Sequence, residues 1–394
     1  MTGKTKKHLC IIQNVELGTT EALSVFLTNI TKNFSADKTI VDLIVSDASR
    51  SPKDLIERVH TIYTTRTKLY SILDNFIFSL KTFTFLRKIQ KELYVDVLHC
   101  IRPNSSLLGA VFFKFFSNPK VKIIYNVRGP WIDVAILRKH VNPLFSRLFK
   151  HVAYFSEFVL SKFVWRYVFV SIPLRDFYSR KLKLKSEKTF VIPPGVDLSH
   201  FFYKKDGNMK RKLFNNQRDI VIGHVGGLAF ERDLSFLIQA FKQLHQTDSN
   251  YKLVFVGDGP AKKQLEALSS KLELSQSILF TGSVDRENVP KYLSAFDIGI
   301  CHLPDTLAYR CSFPLKILEY LACGLPVLAS NIVAHAEIAK SLHNVYLYDL
   351  SLESLVKKIV SFSSNPNFLQ HQVQDKIREY DWAVLAKRYD EIYD

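Results

Sequence analysis

CSFPLKILEYLACGLPVLAS, residues 311–330, decides the fold of the second half of this chain. Pro314 suits the first turn of a helix, where its missing N–H is not needed, and Gly324 and Pro326 end that helix. An apolar run of strand length, Val327–Ala329, follows at once. A helix, a tight turn and a buried strand in succession are typical of a βαβ unit, so this stretch predicts a parallel sheet.

The same alternation extends outward through the whole chain. In the second half we predict strands at Ile220–His224, Lys252–Val256, Ile278–Thr281, Ile298–Cys301 and Val327–Ala329, and helices at about 233–246, 260–272, 287–294, 314–322 and 333–339. In the first half we predict strands at His8–Ile12, Thr39–Val45, Val95–Cys100, Lys122–Val127, Tyr167–Val170 and Lys188–Ile192, and helices around 20–34, 53–91, 105–116, 143–165 and 173–182. The prediction is an α/β protein of two doubly wound, Rossmann-like domains with a ligand cleft between them.

Length and composition support two domains. The 394 residues exceed the roughly 250–300 at which one hydrophobic core stops growing. A polar, charged segment interrupts the alternation at Tyr203–Asp219 and is typical of a linker. We expect an N-terminal domain at 1–202, a linker at 203–219, a C-terminal domain at 220–378 and a closing helix at 379–394.

The net charge of +17 is concentrated in the first half of the sequence. Residues 1–200 hold 31 Lys and Arg against 15 Asp and Glu, whereas residues 201–394 hold 23 against 22. Such asymmetry favours an anionic partner, and the Phe-rich segments Leu107–Phe116 and Pro143–Val152 suggest an anionic membrane surface. The alternatives are a merely solubilising charge and amphipathic helices buried in the domain core. No recognised nucleic-acid motif accompanies the charge, so we expect no nucleic acid partner.

The sequence carries no uncharged apolar run of about 18 residues. Its most apolar stretch, Val152–Ile172, contains Glu157, Lys162 and Arg166, and the apolar run Leu9–Ile12 is too short for a signal peptide. We therefore expect a cytoplasmic protein, peripheral on the inner face of the membrane. The five cysteines form no CxxC pair, which favours reduced thiols and no metal site.

Several segments of the second half have the chemistry of an anion site. A predicted strand ends in Gly226-Gly227, where bare backbone can approach a ligand, and Arg232 stands before the next helix as a forked phosphate donor. Another strand enters a tight turn at Gly257, and a third ends at Gly282. The backbone of Ser283 and Val284 after it could read a nucleobase edge. Each feature alone is also ordinary loop chemistry.

The helix that starts at Pro314 has the most specific pattern. The amides of Leu315 and Lys316 lie at its positive end, and the Lys316 ammonium adds a full charge, so a diphosphate is the expected ligand. Glu319, three residues further on, could accept hydrogen bonds from a ribose diol. The alternative is a solvated Lys–Glu pair on a helix surface.

Taken in order, these segments resemble the donor-binding domain of the retaining glycosyltransferases of family 4, which have the GT-B fold. IPPGVDLSHF (192–201) resembles the family's "iPNGvD…F" segment, FVSIPLRDFYSRK (169–181) is similar to its "VS…l…y" segment, and DWAVLAKRYDEIYD (381–394) to its terminal helix. Leu17-Gly18 stands where the family often has Gly-Gly, and NVRGPW (126–131) resembles a "dvRG" strand end.

The resemblance implies a role for each part. Glu319 would hold the donor ribose, Arg232 and Lys316 the diphosphate, and Gly282 to Val284 the base, while Gly18 and Arg128 would lie on the acceptor side. It implies transfer of a hexose from a UDP- or GDP-sugar to a saccharide or lipid-linked acceptor, with retention, in cell-surface polysaccharide or glycolipid synthesis. We expect no cofactor and no metal, because protein cations and backbone amides neutralise the leaving diphosphate.

Two departures from the family pattern keep another class open. The family carries two glutamates separated by seven residues, and Cys311 occupies the first position, while Gly226-Gly227 replaces the common Gly-Arg. Lys316 would supply the missing charge. The lost glutamate favours a catalytically silent GT-B-like partner or scaffold protein as the alternative. A sugar-nucleotide epimerase would use the same cleft, but needs further acid–base groups that we do not find.

Overall fold

Parallel β-sheets organise both halves of the chain. The computed structural model describes residues 6–16, 22–34, 39–47, 59–61, 72–101, 103–133, 143–202, 207–214, 218–365 and 375–394. The chain divides into two units: unit 1 comprises Met1–Pro194 and Trp382–Asp394, and unit 2 comprises Gly195–Asp381.

Unit 1 contains seven described strands: β1 (Lys7–Glu16), β2 (Thr39–Asp47), β3 (Val59–Thr61), β4 (Val97–Ile101), β5 (Lys122–Val127), β6 (Arg166–Phe169) and β7 (Thr189–Val191). They pair in the order β3-β2-β1-β4-β5-β6-β7, and every neighbouring pair is parallel.

Unit 2 contains six described strands: β8 (Ile220–Val225), β9 (Tyr251–Val256), β10 (Ile278–Phe280), β11 (Ile298–Cys301), β12 (Val327–Ser330) and β13 (Val345–Tyr348). Their order is β10-β9-β8-β11-β12-β13, again parallel throughout. The two sheets confirm the predicted α/β class with two Rossmann-like sheets.

Within the described ranges helices lie between successive strands, as parallel pairing requires, except between β2 and β3, whose connection lies outside those ranges. In unit 1 and at its boundary they are α1 (Ala22–Lys32), α2 (Ile72–Glu92), α3 (Leu108–Phe116), α4 (Pro143–Ser161) and α5 (Ile172–Leu182). Unit 2 contributes α6 (Gly207–Phe214), α7 (Ser235–Thr247), α8 (Lys262–Lys271), α9 (Val289–Leu293), α10 (Leu307–Arg310), α11 (Leu315–Ala322), α12 (Val333–Ser341) and α13 (Leu352–Ser363), and α14 (Trp382–Tyr393) returns to unit 1. In none of the helices within the described ranges do length and apolar character suffice to cross a bilayer.

The returning helix α14 completes the core of unit 1. Leu9 and Ile11 of β1 and Trp382 and Leu385 of α14 belong to the same cluster of buried side chains. Beside them, His99 Nδ1 and the Tyr393 hydroxyl form a buried hydrogen bond of 2.6 Å. The last residues of the chain are therefore part of the core of its first half.

Helix α11 is embedded in the core of unit 2, and this fixes the candidate site. Its residues from Lys316 to Ala322 are all buried. The Tyr320 hydroxyl accepts a hydrogen bond of 2.8 Å from the backbone N–H of Val225, at the end of β8. A Cβ at Gly299 would lie only 2.5 Å from the Tyr320 ring, so a glycine is needed there for the helix to approach the sheet.

The structure corrects several predicted elements. Of the helix expected over 53–91, the described residues from Ile72 onward are helical, as α2, and Val59–Thr61 is a strand instead. Residues 207–214, within the segment expected to be a linker, form helix α6. Strand β13 and helix α13 have no counterpart among the predicted elements. Short strands that pair only with distant segments give little local signal.

Candidate functional site

The strand order of unit 2 defines where a ligand should bind. Chain connections run outward from β8 through β9 to β10 on one side, and from β11 through β12 to β13 on the other. A doubly wound sheet binds ligands beyond the carboxyl ends of its strands at such a switch point. The loops after β8, β9 and β10 begin at this edge, and they contain the predicted glycines.

Backbone contacts hold these three loops together. Gly226 N donates to Val256 O at 2.9 Å, and Gly257 N donates to Gly282 O at 3.1 Å. Gly257 has φ +140°, and a Cβ there would lie 2.3 Å from Gly226 O. Only glycine can adopt that backbone angle and allow so close a contact. The two hydrogen bonds and this contact bring the backbones of the predicted residues Gly226, Gly257 and Gly282 together into one surface.

Two cations converge on this surface. A Cβ placed on Gly226 would lie 3.3 Å from Arg232 Nη1 and 3.3 Å from Lys316 Nζ. Arg232 is presented by a 3-10 turn, Phe230–Arg232, and Lys316 by the first turn of α11. Within the described parts of the chain neither cation forms a salt bridge. A guanidinium and an ammonium that meet over bare backbone form a site for an anion.

The Lys316 ammonium is held at an energetic cost. Burial, and then the charge of Arg232, lowers the pKa of Lys316 to about 7. Its Nζ lies 3.1 Å from His224 Nε2, and burial, together with Lys316 and Arg232, lowers the pKa of His224 well below its usual range. The neutral imidazole accepts a hydrogen bond but supplies no negative charge. An arriving anion would therefore supply the missing counter-charge.

Glu319 does not pair with Lys316, its neighbour on the helix. Its Oε1 accepts a hydrogen bond of 3.0 Å from Arg286 Nη2. The carboxylate is buried, whereas the Arg286 side chain is about one third exposed, at 32%. The Arg286 guanidinium also lies over the Phe201 ring, 5.0 Å from its centroid. Arg286 thus fixes the carboxylate predicted to hold a ribose.

The other predicted donor residues lie around this centre. Pro314 precedes α11 with extended backbone, so the first amides of the helix, those of Leu315 and Lys316, have no carbonyl of their own helix to bond. Ser283 is exposed and Val284 half-buried just beyond Gly282, and Gly227 is exposed. Cys311 is buried, 3% exposed, at the end of α10, so no carboxylate stands there.

The two residues predicted for the acceptor side belong to unit 1. Gly18 lies outside the described residues. Arg128 follows β5, and its guanidinium lies 4.1 Å from the centre of the Phe26 ring. Burial, and then the charge of Arg128, lowers the pKa of His99 to about 3, so this imidazole is neutral.

Sequence reasoning missed His224 and Arg286. His224 lies one residue before the end of β8, where a polar side chain in an apolar strand is a usable signal. Arg286 gives no such signal, because its partner Glu319 is 33 residues away in the chain.

Comparison with known proteins identifies relatives of this chain among characterised transferases. The pneumococcal (Streptococcus pneumoniae) alpha-monoglucosyldiacylglycerol synthase is 28% identical over 232 residues, which is 56% of this chain and 49% of that protein. The chain thus spans about half the length of that relative. A galactosyltransferase of Escherichia coli, named UDP-Gal:alpha-D-GlcNAc-diphosphoundecaprenol alpha-1,3-galactosyltransferase, is 24% identical over 323 residues, or 80% of this chain and 78% of that protein.

Solved structures and family models extend the comparison to nearly the whole chain. Sucrose-phosphate synthase from Thermosynechococcus elongatus superimposes with a TM-score of 0.75 at 17% identity, covering 98% of both chains, which shows a shared fold. The model described as "Glycosyltransferase Family 4" matches residues 23–200, and "Glycosyl transferases group 1" matches residues 205–380. The chain therefore belongs to the family 4 glycosyltransferases, which have the GT-B fold.

Proposed function

We propose that this glycosyltransferase moves a hexose from a UDP- or GDP-sugar to a saccharide or lipid-linked acceptor, with retention, in the synthesis of a cell-surface polysaccharide or glycolipid. The convergence of Arg232 and Lys316 on Gly226 carries the proposal. The relatives support the acceptor class, since one is named for a diacylglycerol product and another for a diphosphoundecaprenol substrate.

The site can neutralise a leaving diphosphate. Arg232 and Lys316 would contact its oxygens, and the amides of Leu315 and Lys316 would point at the same group from the helix end. Glu319, held by Arg286, would accept hydrogen bonds from the ribose. Preorganised donors in a buried site act most strongly where charge develops in the transition state, so these groups favour departure of the nucleotide and make transfer without a divalent metal feasible.

Our proposal that the anomeric configuration of the sugar is retained rests on membership of the family and not on any single residue. Cys311 replaces the first family glutamate, and a buried thiol cannot accept the sugar hydroxyls as a carboxylate does. We propose that the sugar is oriented by the remaining groups of the site and that Cys311 alters which hexose is accepted.

A nucleotide screen with a transfer assay tests the function. The thermal unfolding of the wild-type protein is measured with UDP, GDP and ADP; at 100 times its dissociation constant a nucleotide stabilises by about 2.7 kcal/mol, or about 5 to 10 °C for a unit of this size. Transfer from the matching sugar nucleotides is then measured with and without chelator. Arg232→Ala should lower turnover at least about 100-fold, whereas Lys263→Ala, at an exposed position on α8, should not.

Three outcomes separate the possibilities. Stabilisation and chelator-resistant transfer that Arg232→Ala abolishes support the whole proposal. Nucleotide binding without transfer to any saccharide or lipid-linked acceptor would favour the catalytically silent scaffold. Equal transfer by wild type and Arg232→Ala would refute the site.

A face of unit 1 supports a peripheral role at the inner surface of the membrane. Helices α2, α3 and α4 expose large apolar side chains, which we call the aromatic face: Phe76, Leu80, Phe115, Phe116, Phe155 and Val159. Phe116 is 74% exposed and Phe155 68%. Ring contacts join α2 to α3, with Phe83 and Phe116 at 6.2 Å between centroids, and α3 to a residue just after α4, with Phe115 and Phe163 at 4.8 Å.

Cations accompany this face. Arg87 lies over the Phe83 ring at 5.7 Å, and Lys162 over the Phe158 ring at 4.2 Å. Exposed aromatic side chains beside cations are typical of surfaces that insert shallowly into anionic bilayers. The occupant we propose is therefore a bilayer that contains anionic lipid, and the net charge of the first 200 residues agrees in sign.

Vesicle co-sedimentation tests this surface. The full chain should bind vesicles with anionic lipid at low salt and not purely zwitterionic ones. The double variant Phe115→Ser/Phe116→Ser should lose most binding, while Phe202→Ser, which removes a 50% exposed aromatic ring from unit 2, should bind like wild type. Unchanged binding by the double variant, or none by the wild type, would rule out the aromatic face as a membrane contact.

A further inference from the structure

Four metal-binding side chains meet on one face of the unit 1 sheet. His8 and Cys10 are two residues apart on β1 and so point to the same side. Asp42 is the register partner of Cys10 on β2, and His60 lies on β3, which pairs with β2. Three adjacent strands thus bring together two imidazoles, a thiol and a carboxylate. We call this group the His-Cys-Asp cluster.

The ligand atoms are close together and mostly buried. His8, Cys10 and Asp42 are each at most 1% exposed, and one ligand atom from each lies within 4.8 Å of the others. His8 Nε2 is 2.5 Å from Asp42 Oδ2 and 3.8 Å from Cys10 Sγ. His60 Nε2 is 2.8 Å from Asp42 Oδ1, and its side chain is 28% exposed. The carboxylate is therefore bracketed by two ring nitrogens, and His60, which lies outside the 4.8 Å group, would turn its partly exposed ring toward an ion to become a ligand.

The contact of the other ring nitrogen of His8, Nδ1, indicates which nitrogen of the ring carries a hydrogen. His8 Nδ1 lies 3.2 Å from the Tyr94 carbonyl, which only accepts hydrogen bonds, so Nδ1 carries a hydrogen. In a neutral ring Nε2 then presents a lone pair to the Asp42 carboxylate, which is repulsive. Either a proton shared by Nε2 and the carboxyl group or a metal ion bound by both removes this repulsion. A metal-bound histidine is commonly oriented by a carbonyl in this way.

We propose that the His-Cys-Asp cluster, completed by His60, is a structural zinc site. A thiolate with imidazoles and a carboxylate suits Zn²⁺, whereas Mg²⁺ and Ca²⁺ prefer oxygen ligands alone. The 3.8 Å between sulfur and nitrogen is close to the roughly 3.6 Å that tetrahedral zinc gives. The nitrogen–oxygen pairs would open to about 3.3 Å as the ion replaces the proton.

The position of the cluster gives the site its role. His8 is the second residue of β1, so the cluster lies toward the amino end of the strand, while ligands of a doubly wound sheet bind at the carboxyl end. The ion would tie β1, β2 and β3 together and would not touch the substrate. The proposal is therefore independent of the glycosyl transfer proposed above.

Metal analysis of the full chain, purified without a histidine tag, is the first test. We expect about one zinc ion per chain in the native protein by mass spectrometry. Cys10→Ser should lower zinc retention strongly, and His60→Ala, at a partly exposed position that tolerates truncation, should do the same. Cys100→Ser changes another buried cysteine, on the neighbouring strand β4, and should retain zinc as wild type does.

Cobalt replacement adds a spectroscopic test. Metal-depleted protein loaded with Co²⁺ should show thiolate-to-cobalt charge-transfer absorption that Cys10→Ser abolishes and Cys100→Ser keeps. Chelator should lower the thermal midpoint of the wild type and not that of His60→Ala. A wild-type chain that holds no zinc, shows no cobalt absorption and is indifferent to chelator would overturn the proposal and leave a proton in the cluster.

Discussion

Replacing Lys316 by methionine should stabilise the protein while it abolishes diphosphate binding. The ammonium is buried beside Arg232, and its hydrogen-bond partner His224 is neutral. Methionine keeps an unbranched apolar chain and removes the charge. The variant thus separates the energetic cost of the site from its binding function.

The magnitude follows from the pKa of the lysine. A fall from 10.5 to about 7, at 1.36 kcal/mol per unit, destabilises the folded protein by up to about 5 kcal/mol when the lysine is charged in both states. Loss of the hydrogen bond to His224 offsets about 1 kcal/mol of this. We expect a net gain of about 2 to 4 kcal/mol, and a thermal midpoint about 5 to 10 °C higher.

The stability difference between Lys316→Met and the wild type should depend on pH, because the pKa of Lys316 differs between the folded and the unfolded chain. Below pH 7 the lysine is charged in the folded and the unfolded chain, so the folded wild type bears the full cost. Between pH 7 and 10.5 the folded protein gives up its proton more readily than the unfolded chain, and the cost fades. The advantage of Lys316→Met should therefore be largest below pH 7 and vanish near pH 10.

Thermal and urea unfolding across pH 6 to 10, with and without the nucleotide found in the screen, provide the assay. Lys263→Met, an exposed lysine on α8, is the matched control and should change neither stability nor binding. A variant that is less stable than wild type at pH 6, or one that still gains stability from the nucleotide, would refute the reasoning.

Three further predictions follow from the same site. Binding of a nucleoside diphosphate should be coupled to uptake of a proton by Lys316, so the wild-type Kd should rise up to about 10-fold for each pH unit above pH 7. Calorimetry in buffers of different ionisation enthalpy measures this proton uptake. A Kd that is constant from pH 7 to 9 would contradict it. Arg286→Ala should raise KM for the sugar nucleotide about 10-fold with little change in kcat. Binding of inorganic pyrophosphate, which has no ribose, should be unaltered. Equal losses of affinity for both ligands would show that Arg286 does not act through Glu319. Gly257→Ala should lower the free energy of unfolding by at least about 2 kcal/mol in urea, because its Cβ would lie 2.3 Å from Gly226 O. Gly227→Ala, whose Cβ would have no atom nearer than 3.9 Å, should lower it by less than about 1 kcal/mol. Similar losses for the two variants would show that the loop can rearrange to accept a side chain.

Much of the fold was predictable because strand and helix periods are local. The predicted strands at Ile220–His224 and Lys252–Val256 differ from β8 and β9 by one residue at one end each. The four-residue β13 was missed because its place at the sheet edge depends on pairing with β12. Local pattern does not fix such a partner.

The candidate site was partly predictable for the same reason. Arg232 and Lys316 stand beside glycines and a helix start that the sequence displays, and the structure brings both to Gly226. The bond of Arg286 to Glu319 joins segments 33 residues apart. The His-Cys-Asp cluster joins three strands, with only His8 and Cys10 close in sequence. Contacts between residues that are far apart in the sequence produce no local spacing pattern from which they could be predicted.

The path of the chain through the two units has a consequence for biosynthesis. All of unit 2, from Gly195 to Asp381, is synthesised before Trp382, the first residue of α14. Since α14 fills the core of unit 1, the half that is translated first must wait for α14 before its core can close. A chain cut before Trp382 would retain every residue of unit 2 but leave the core of unit 1 open, so proteolysis of such a chain should begin in the earlier-made unit.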